Sequence, residues 1–89
     1  SYAYLQKLPV DYVKVDGIFV RDMASNLTNY ALVRSITELC HFLDMKTIAE
    51  YVEDMETLEL LKEIQVDFGQ GFCIAKPRRM DSLGATAKA

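Results

Sequence analysis

The sequence predicts an α/β fold with a parallel sheet, and two observations carry the prediction. Extended segments alternate with segments of helical apolar spacing, in the order strand, helix, strand, helix, strand. Each extended segment also closes on a charged or amide side chain, which places polar groups at one end of the sheet. Strands that alternate with helices pair in parallel, because the helix supplies the crossover.

The elements follow in order. Ser1 to Lys7 reads as the end of a helix with Tyr2 and Leu5 inward, and Leu8-Pro9 breaks it because the residue before proline is steered away from the helical region. Tyr12 to Asp16 alternates with period two and reads as a strand that Gly17 ends. Ile18 to Met23 is a short turn or helix. From about Leu27 to Leu43 the residues Leu27, Ala31, Leu32, Ile36, Leu39, Cys40 and Leu43 wind onto one helical face, with Asn26 or Thr28 as the cap. Lys46 to Glu50 reads as a second strand. Asp54 caps a helix that runs to about Ile64, with Met55, Leu58, Leu61 and Ile64 inward. Val66 to Ala75 is a third extended segment, interrupted by Gly69 and Gly71 and stopped by Pro77. Residues 1–83 read as part of a single domain and residues 84–89 as a flexible tail.

Composition narrows the function classes. The chain has 89 residues, of which 51% are hydrophobic, so it reads as ordered but with a small core. A net charge of -3 and a pI near 5.0 offer no footprint for a nucleic-acid backbone, so no DNA or RNA polymer is an expected partner. Cys40 and Cys73 form no C-x-x-C pair and read as two buried small hydrophobes, and His41 is the single histidine. No apolar run reaches the roughly 18 residues of a membrane helix, and no signal peptide opens the chain. These features fit the cytoplasm.

The polar residues are out of place for a parallel sheet covered on both faces, whose strands are expected to be almost wholly apolar. Lys14 and Asp16 are two apart and share a face, opposite Val13 and Val15. Glu50 shares a side with Ile48, and Gln70 with Phe68 and Val66. Each taken alone has an ordinary reading: an ion pair at a sheet edge for Lys14 and Asp16, a solvated loop for Glu50 and Glu53, a turn for Gln70-Gly71. Three strands with the same placement point instead to a shared site, since charges at the ends of successive strands cost desolvation energy unless compensated. A lysine and oxygen ligands converging on the catalytic face of a β/α barrel suit a phosphate or metal–phosphate site.

Three segments then resemble one family. Residues 8–22, LPVDYVKVDGIFVRD, resemble the L-P-V-D-x-(L/V)-K-(I/V)-D-x-x-F-V-R-D stretch of EAL domains. Residues 46–53, KTIAEYVE, are similar to its A-E-G-V-E stretch, and residues 67–72, DFGQGF, followed by Lys76-Pro77, to its D-x-x-Q-G-(Y/F) ending. The resemblance covers residues 1 to 80. It implies the C-terminal βαβαβ part of a TIM-like (β/α)8 barrel, from a bacterial protein that hydrolyses cyclic di-GMP to the linear dinucleotide with Mg²⁺ or Mn²⁺, two ions in the complete site. Carried over, Lys14 contacts the attacking water or the phosphate, and Asp16 supports it. Glu50 binds metal or activates water, Glu53 supports it, and Gln70 lies near the scissile bond. Position 51 is Tyr where the family often has Gly.

A barrel of this kind needs about 250 residues. The remaining ligands are therefore expected upstream of Ser1, in a parent that upstream domains can anchor to a membrane. The isolated segment is expected to be inactive and to self-associate through open sheet edges. The alternative function is a catalytically inactive EAL domain that serves as a cyclic di-GMP receptor or protein-interaction module.

Overall fold

The computed structural model describes residues 11–71 and 74–83. The expected helix at Ser1 to Lys7, the Leu8-Pro9 break, Cys73 and the tail at 84–89 lie outside the described residues. The described elements are β1 (Tyr12–Val15), α1 (Gly17–Val20), α2 (Leu27–Phe42), β2 (Lys46–Ala49), α3 (Met55–Glu63), β3 (Phe68–Gly71) and β4 (Ile74–Arg79). A helical turn follows over residues 80–83. The sheet order is β1-β2-β3-β4. The pairs β1–β2 and β2–β3 are parallel, with Lys14 opposite Ile48 and Ile48 opposite Phe68.

The third extended segment corrects the expectation. It is two antiparallel strands, β3 and β4, rather than one. Pro77 does not stop it: β4 runs through Pro77 to Arg79. Proline donates no ladder hydrogen bond, and it is tolerated here because β4 pairs only with β3 among the described residues and the register shifts between Gly69 and Gly71.

Local chemistry sets the boundaries. Asn26 caps α2 by accepting from the Asn29 N–H at 3.1 Å, and Asp54 caps α3 by accepting from the Thr57 N–H at 2.7 Å. Both long helices end the same way. Asp44 (φ 60°) and Gln65 (φ 66°) sit in the left-handed region one residue past each cap. In α2 the Asp44 N–H reaches the His41 carbonyl and the Met45 N–H the Cys40 carbonyl. In α3 the Gln65 and Val66 N–H groups reach Lys62 and Leu61. These paired bonds satisfy carbonyls that a helix end otherwise leaves open.

The core lies between the helices and one sheet face, and includes Val15, Val20, Val33, Ala49, Val52, Leu58, Leu61 and Val66. Burying each large aliphatic among them stabilises the fold by roughly 1.5–3 kcal/mol. Leu58 and Leu61 are inward as expected, whereas Met55 is exposed.

On α2 the expected inward face holds only in part. Cys40 is buried and Ile36 packs against the core as expected, but Leu27, Leu39 and Leu43 are exposed, and Val33 and Thr37 are buried instead. The helix carries two apolar stripes about one residue step apart, and the one with smaller side chains is buried. Thr37 disguises that stripe as polar, but its hydroxyl donates to the Val33 carbonyl at 2.8 Å, so no bare polar group is buried.

Candidate active site at the strand ends

The sheet face opposite the core carries the residues singled out in the sequence. Parallel register aligns Lys14 with Ile48, and Glu50 follows Ile48 by two, so both side chains project to one side. Lys14 Nζ lies 4.0 Å from a Glu50 carboxylate oxygen, and both side chains keep solvent contact, at 62% and 37% exposure. The Glu50 N–H bonds the Val15 carbonyl at 3.2 Å, which carries the β1–β2 ladder one step past the strands and fixes where Glu50 starts. Phe68 aligns with Ile48 on the same face, and its ring packs on Tyr12 with centroids 5.7 Å apart.

Asp16 does not join the pair. Its carboxylate accepts from the Ile18 N–H at 3.0 Å and caps α1, so it sets the turn that leaves β1. Glu53 is exposed one residue before the cap of α3. Gln70, half-buried on β3, accepts the Val52 N–H at its backbone carbonyl at 2.9 Å and so ties β3 to the loop after β2. The structure thus brings Lys14 and Glu50 together, while Asp16 caps α1, Gln70 ties β3 to the loop after β2, and Glu53 stands exposed on that loop.

Sequence reasoning missed how that loop is held. Tyr51 has φ 68°, and no helix end explains it. A non-glycine residue held there costs roughly 1–3 kcal/mol unless its surroundings fix it. Here they do. A Cβ built on Gly17 would lie 2.7 Å from the Tyr51 Cβ and 3.0 Å from its ring, so the side chain rests on the bare Cα of Gly17. The Arg21 guanidinium lies over the same ring, 5.7 Å from its centroid. On the other side, a Cβ on Gly71 would run into the Val52 backbone. The loop bearing Glu50 is gripped between two glycines, one at the end of β1 and one at the end of β3. The tyrosine in place of a glycine in the A-E-G-V-E stretch was the signal available in the sequence.

The opposite ends of the strands hold a second polar cluster. One Asp67 carboxylate oxygen accepts from the Thr47 N–H at 2.9 Å and from the Thr47 hydroxyl at 3.2 Å, and lies 2.7 Å from His41 Nε2. An ionised carboxylate only accepts, so Nε2 carries the hydrogen. Partial burial pushes the Asp67 carboxyl up. The Thr47 N–H, the His41 ring and the Thr47 hydroxyl outweigh it and hold the group below its ordinary value. Burial, and secondarily the Asp67 charge, pushes the Cys40 thiol up, so Cys40 is a packing residue rather than a nucleophile. A cleft of about 720 Å³ opens at this end between Lys46, Lys62, Asp67 and Arg79, whereas the Lys14 and Glu50 side chains stand in contact with solvent.

A divalent cation suits the Lys14 and Glu50 pair only in part. Glu50 is a hard oxygen donor in contact with solvent, the right type for Mg²⁺ or Mn²⁺. Among the described residues no group of three or more His, Cys, Asp or Glu side chains is placed to hold a metal. No helix among them is long and apolar enough to cross a membrane.

Comparison with known proteins accounts for the pattern. The family profile described as EAL domain matches residues 1–77. The chain is 44% identical over 82 residues to the cyclic di-GMP phosphodiesterase PdeB of Shewanella oneidensis, covering 92% of this chain and 10% of that protein. It is 40% identical over 78 residues to the cyclic di-GMP phosphodiesterase PdeF of Escherichia coli K12, covering 88% and 10%. The chain therefore spans about a tenth of the length of these curated relatives. Among solved structures, an EAL domain protein from Listeria monocytogenes superposes with TM-score 0.69 at 38% identity over 99% of this chain and 36% of that one. A manganese and cyclic di-GMP complex of Klebsiella pneumoniae BlrP1 superposes with TM-score 0.70 at 31% identity over 88% and 20%. The βαβαβ segment is thus a portion of the β/α barrel of those domains, and the chain belongs to the EAL domain family.

Proposed function

We propose that the domain containing this segment is a cyclic di-GMP phosphodiesterase of the bacterial cytoplasm, and that Lys14 and Glu50 are its catalytic residues here. The observation that carries the reading is their approach to 4.0 Å at the C-terminal ends of adjacent parallel strands, on the face a β/α barrel uses for chemistry. The substrate is drawn from the relatives, named as cyclic di-GMP phosphodiesterases, and from the manganese and cyclic di-GMP complex of a structural neighbour.

Hydrolysis adds water across one P–O bond. The water oxygen bonds to phosphorus, the bond to one ribose oxygen breaks, and that oxygen leaves with a proton. Mg²⁺ or Mn²⁺, two ions in the full site, neutralises phosphate charge and acidifies water when bound. Glu50 is the side chain of this segment that would hold a metal ion or take a proton from the attacking water. The Lys14 ammonium offsets the negative charge that builds on phosphate oxygens as the bond breaks. Asp16 shapes the turn beside Lys14, Glu53 supports the metal side of the loop, and Gln70 offers an amide near the scissile bond.

The test is product formation by the full-length protein with Mn²⁺. Lys14→Ala and Glu50→Ala are each expected to lower turnover at least about a hundredfold. A folded double variant with unchanged turnover would falsify the assignment. Residues 1–89 alone are expected to be inactive and to associate in sedimentation, because among the described residues one carboxylate, Glu50, stands beside Lys14 where a metal site needs several, and the strand edges of a barrel portion are left open.

A further inference from the structure

We infer that Tyr51 is a positioning residue: seated on Gly17, its ring locks the loop that bears Glu50 to the turn that follows Lys14, so the two halves of the site move as one. The inference rests on the proposed phosphodiesterase function and adds to it a residue pair that the A-E-G-V-E pattern does not contain.

The left-handed residues divide into two kinds. Asp44 and Gln65 stand where long helices end, and paired backbone bonds account for them. Tyr51 stands between Glu50 and Val52, with no such bonds at its own position. Its conformation is instead matched to side-chain contacts: the Gly17 Cα beneath the Cβ and ring, and the Arg21 guanidinium over the ring. Gly17 and Arg21 belong to the turn and short helix that leave β1: Gly17 directly follows Asp16, three residues after Lys14, and Arg21 lies about one helical turn further on. The ring therefore links the loop after β2, which follows Glu50, to the turn after β1, which follows Lys14. On the far side Val52 is already fixed to β3 by the Gln70 carbonyl and by the close approach of Gly71. Glu50 is tied to β1 by its own N–H and Val52 to β3, so Tyr51 is the link between two fixed points, and the ring on Gly17 holds that link against the β1 turn.

The arrangement predicts coupling between two positions that never touch substrate. A methyl group on Gly17 has no room while Tyr51 is in place, since it would meet the tyrosine Cβ at 2.7 Å. Without the tyrosine side chain the three nearest atoms that this methyl group would meet are gone. A mutant cycle in the full-length protein tests this, with Gly17→Ala in the wild-type and Tyr51→Gly backgrounds and Tyr51→Phe as the conservative control. Turnover and KM for cyclic di-GMP are read at saturating Mn²⁺, and Mn²⁺ affinity is read separately by calorimetry. Gly17→Ala is expected to lower kcat about tenfold with KM within about twofold, the pattern of a displaced catalytic group, and to weaken Mn²⁺ binding. In the Tyr51→Gly background the same change is expected to alter kcat and Mn²⁺ affinity by less than about twofold, and Tyr51→Phe to match wild type. Equal losses in both backgrounds, or a Gly17→Ala protein with wild-type kcat and Mn²⁺ affinity, would overturn the inference. A wild-type protein without turnover sinks the phosphodiesterase reading instead. The inference then stands if Mn²⁺ affinity still shows the coupling, and falls if it does not.

Discussion

The two ends of the parallel strands carry similar chemistry in opposite conditions. At the N-terminal end, Asp67 is surrounded by donors: the Thr47 N–H, the Thr47 hydroxyl and the His41 ring, all on one oxygen. At the C-terminal end, Glu50 faces one ammonium at 4.0 Å and solvent. The first carboxylate is satisfied by its fold, and the second is left with capacity to bind something else. The difference shows why a carboxylate in a strand-end motif is not by itself a catalytic one. Burial and donor count separate a residue that ties strands together from one that remains available.

Substitutions sharpen that contrast in order of size. Gly71→Ala acts on the open end. The added methyl group would collide with the Val52 backbone, which cannot yield as a side chain does. A loss of about 3 kcal/mol is expected in chemical denaturation of the full-length domain. A fully stable Gly71→Ala protein would show that the loop is not gripped from the β3 side.

Asp67→Asn acts on the closed end, where it puts an amide among three donors. Destabilisation of roughly 1–2 kcal/mol at neutral pH is expected. The pH dependence gives this prediction its sign. The folded state holds the Asp67 carboxyl below its ordinary value, so its contribution is present above the unfolded value near 3.9 and fades as pH falls through the folded one. The gap between wild type and Asp67→Asn is therefore expected to close on acidification below about pH 4, read from denaturation midpoints. A gap independent of pH would mean that the cluster stabilises through packing alone.

Arg34→Ala is the smallest. Its ion pair with Glu38 at 3.0 Å is exposed on α2 and remote from both clusters. A change under about 0.5 kcal/mol and no change in turnover are expected. Any larger effect would point to a role for the solvent face of α2.

Much of this architecture is legible in the residues themselves. Period-two alternation finds β1, and Asn26 and Asp54 mark the starts of α2 and α3 because a short polar side chain before an apolar helical run has few other uses. What escapes is what depends on partners distant in sequence. The buried stripe of α2 is set by the sheet beneath it, and the larger leucines misdirect any reading that ranks by hydrophobicity. The β3–β4 reversal is hidden because the residues between the two strands, Phe72 and Cys73, are apolar and carry no turn signal in the sequence. At the site, strand register brings Lys14 and Glu50 together as their phase suggests, whereas the contact of Tyr51 with Gly17 joins positions 34 apart and has no periodic trace. The Asp67 cluster is hidden for the same reason, since His41 and Thr47 come from different elements.

Turnover of cyclic di-GMP by folded full-length protein, compared between Glu50→Ala and Asp67→Asn, tests the contrast between the two ends most directly. The account predicts a loss of at least about a hundredfold for Glu50→Ala, and turnover within about threefold of wild type for Asp67→Asn at neutral pH below its melting transition. The opposite ranking, with Asp67→Asn inactive and Glu50→Ala near wild type, would contradict the placement of the chemistry at the C-terminal strand ends.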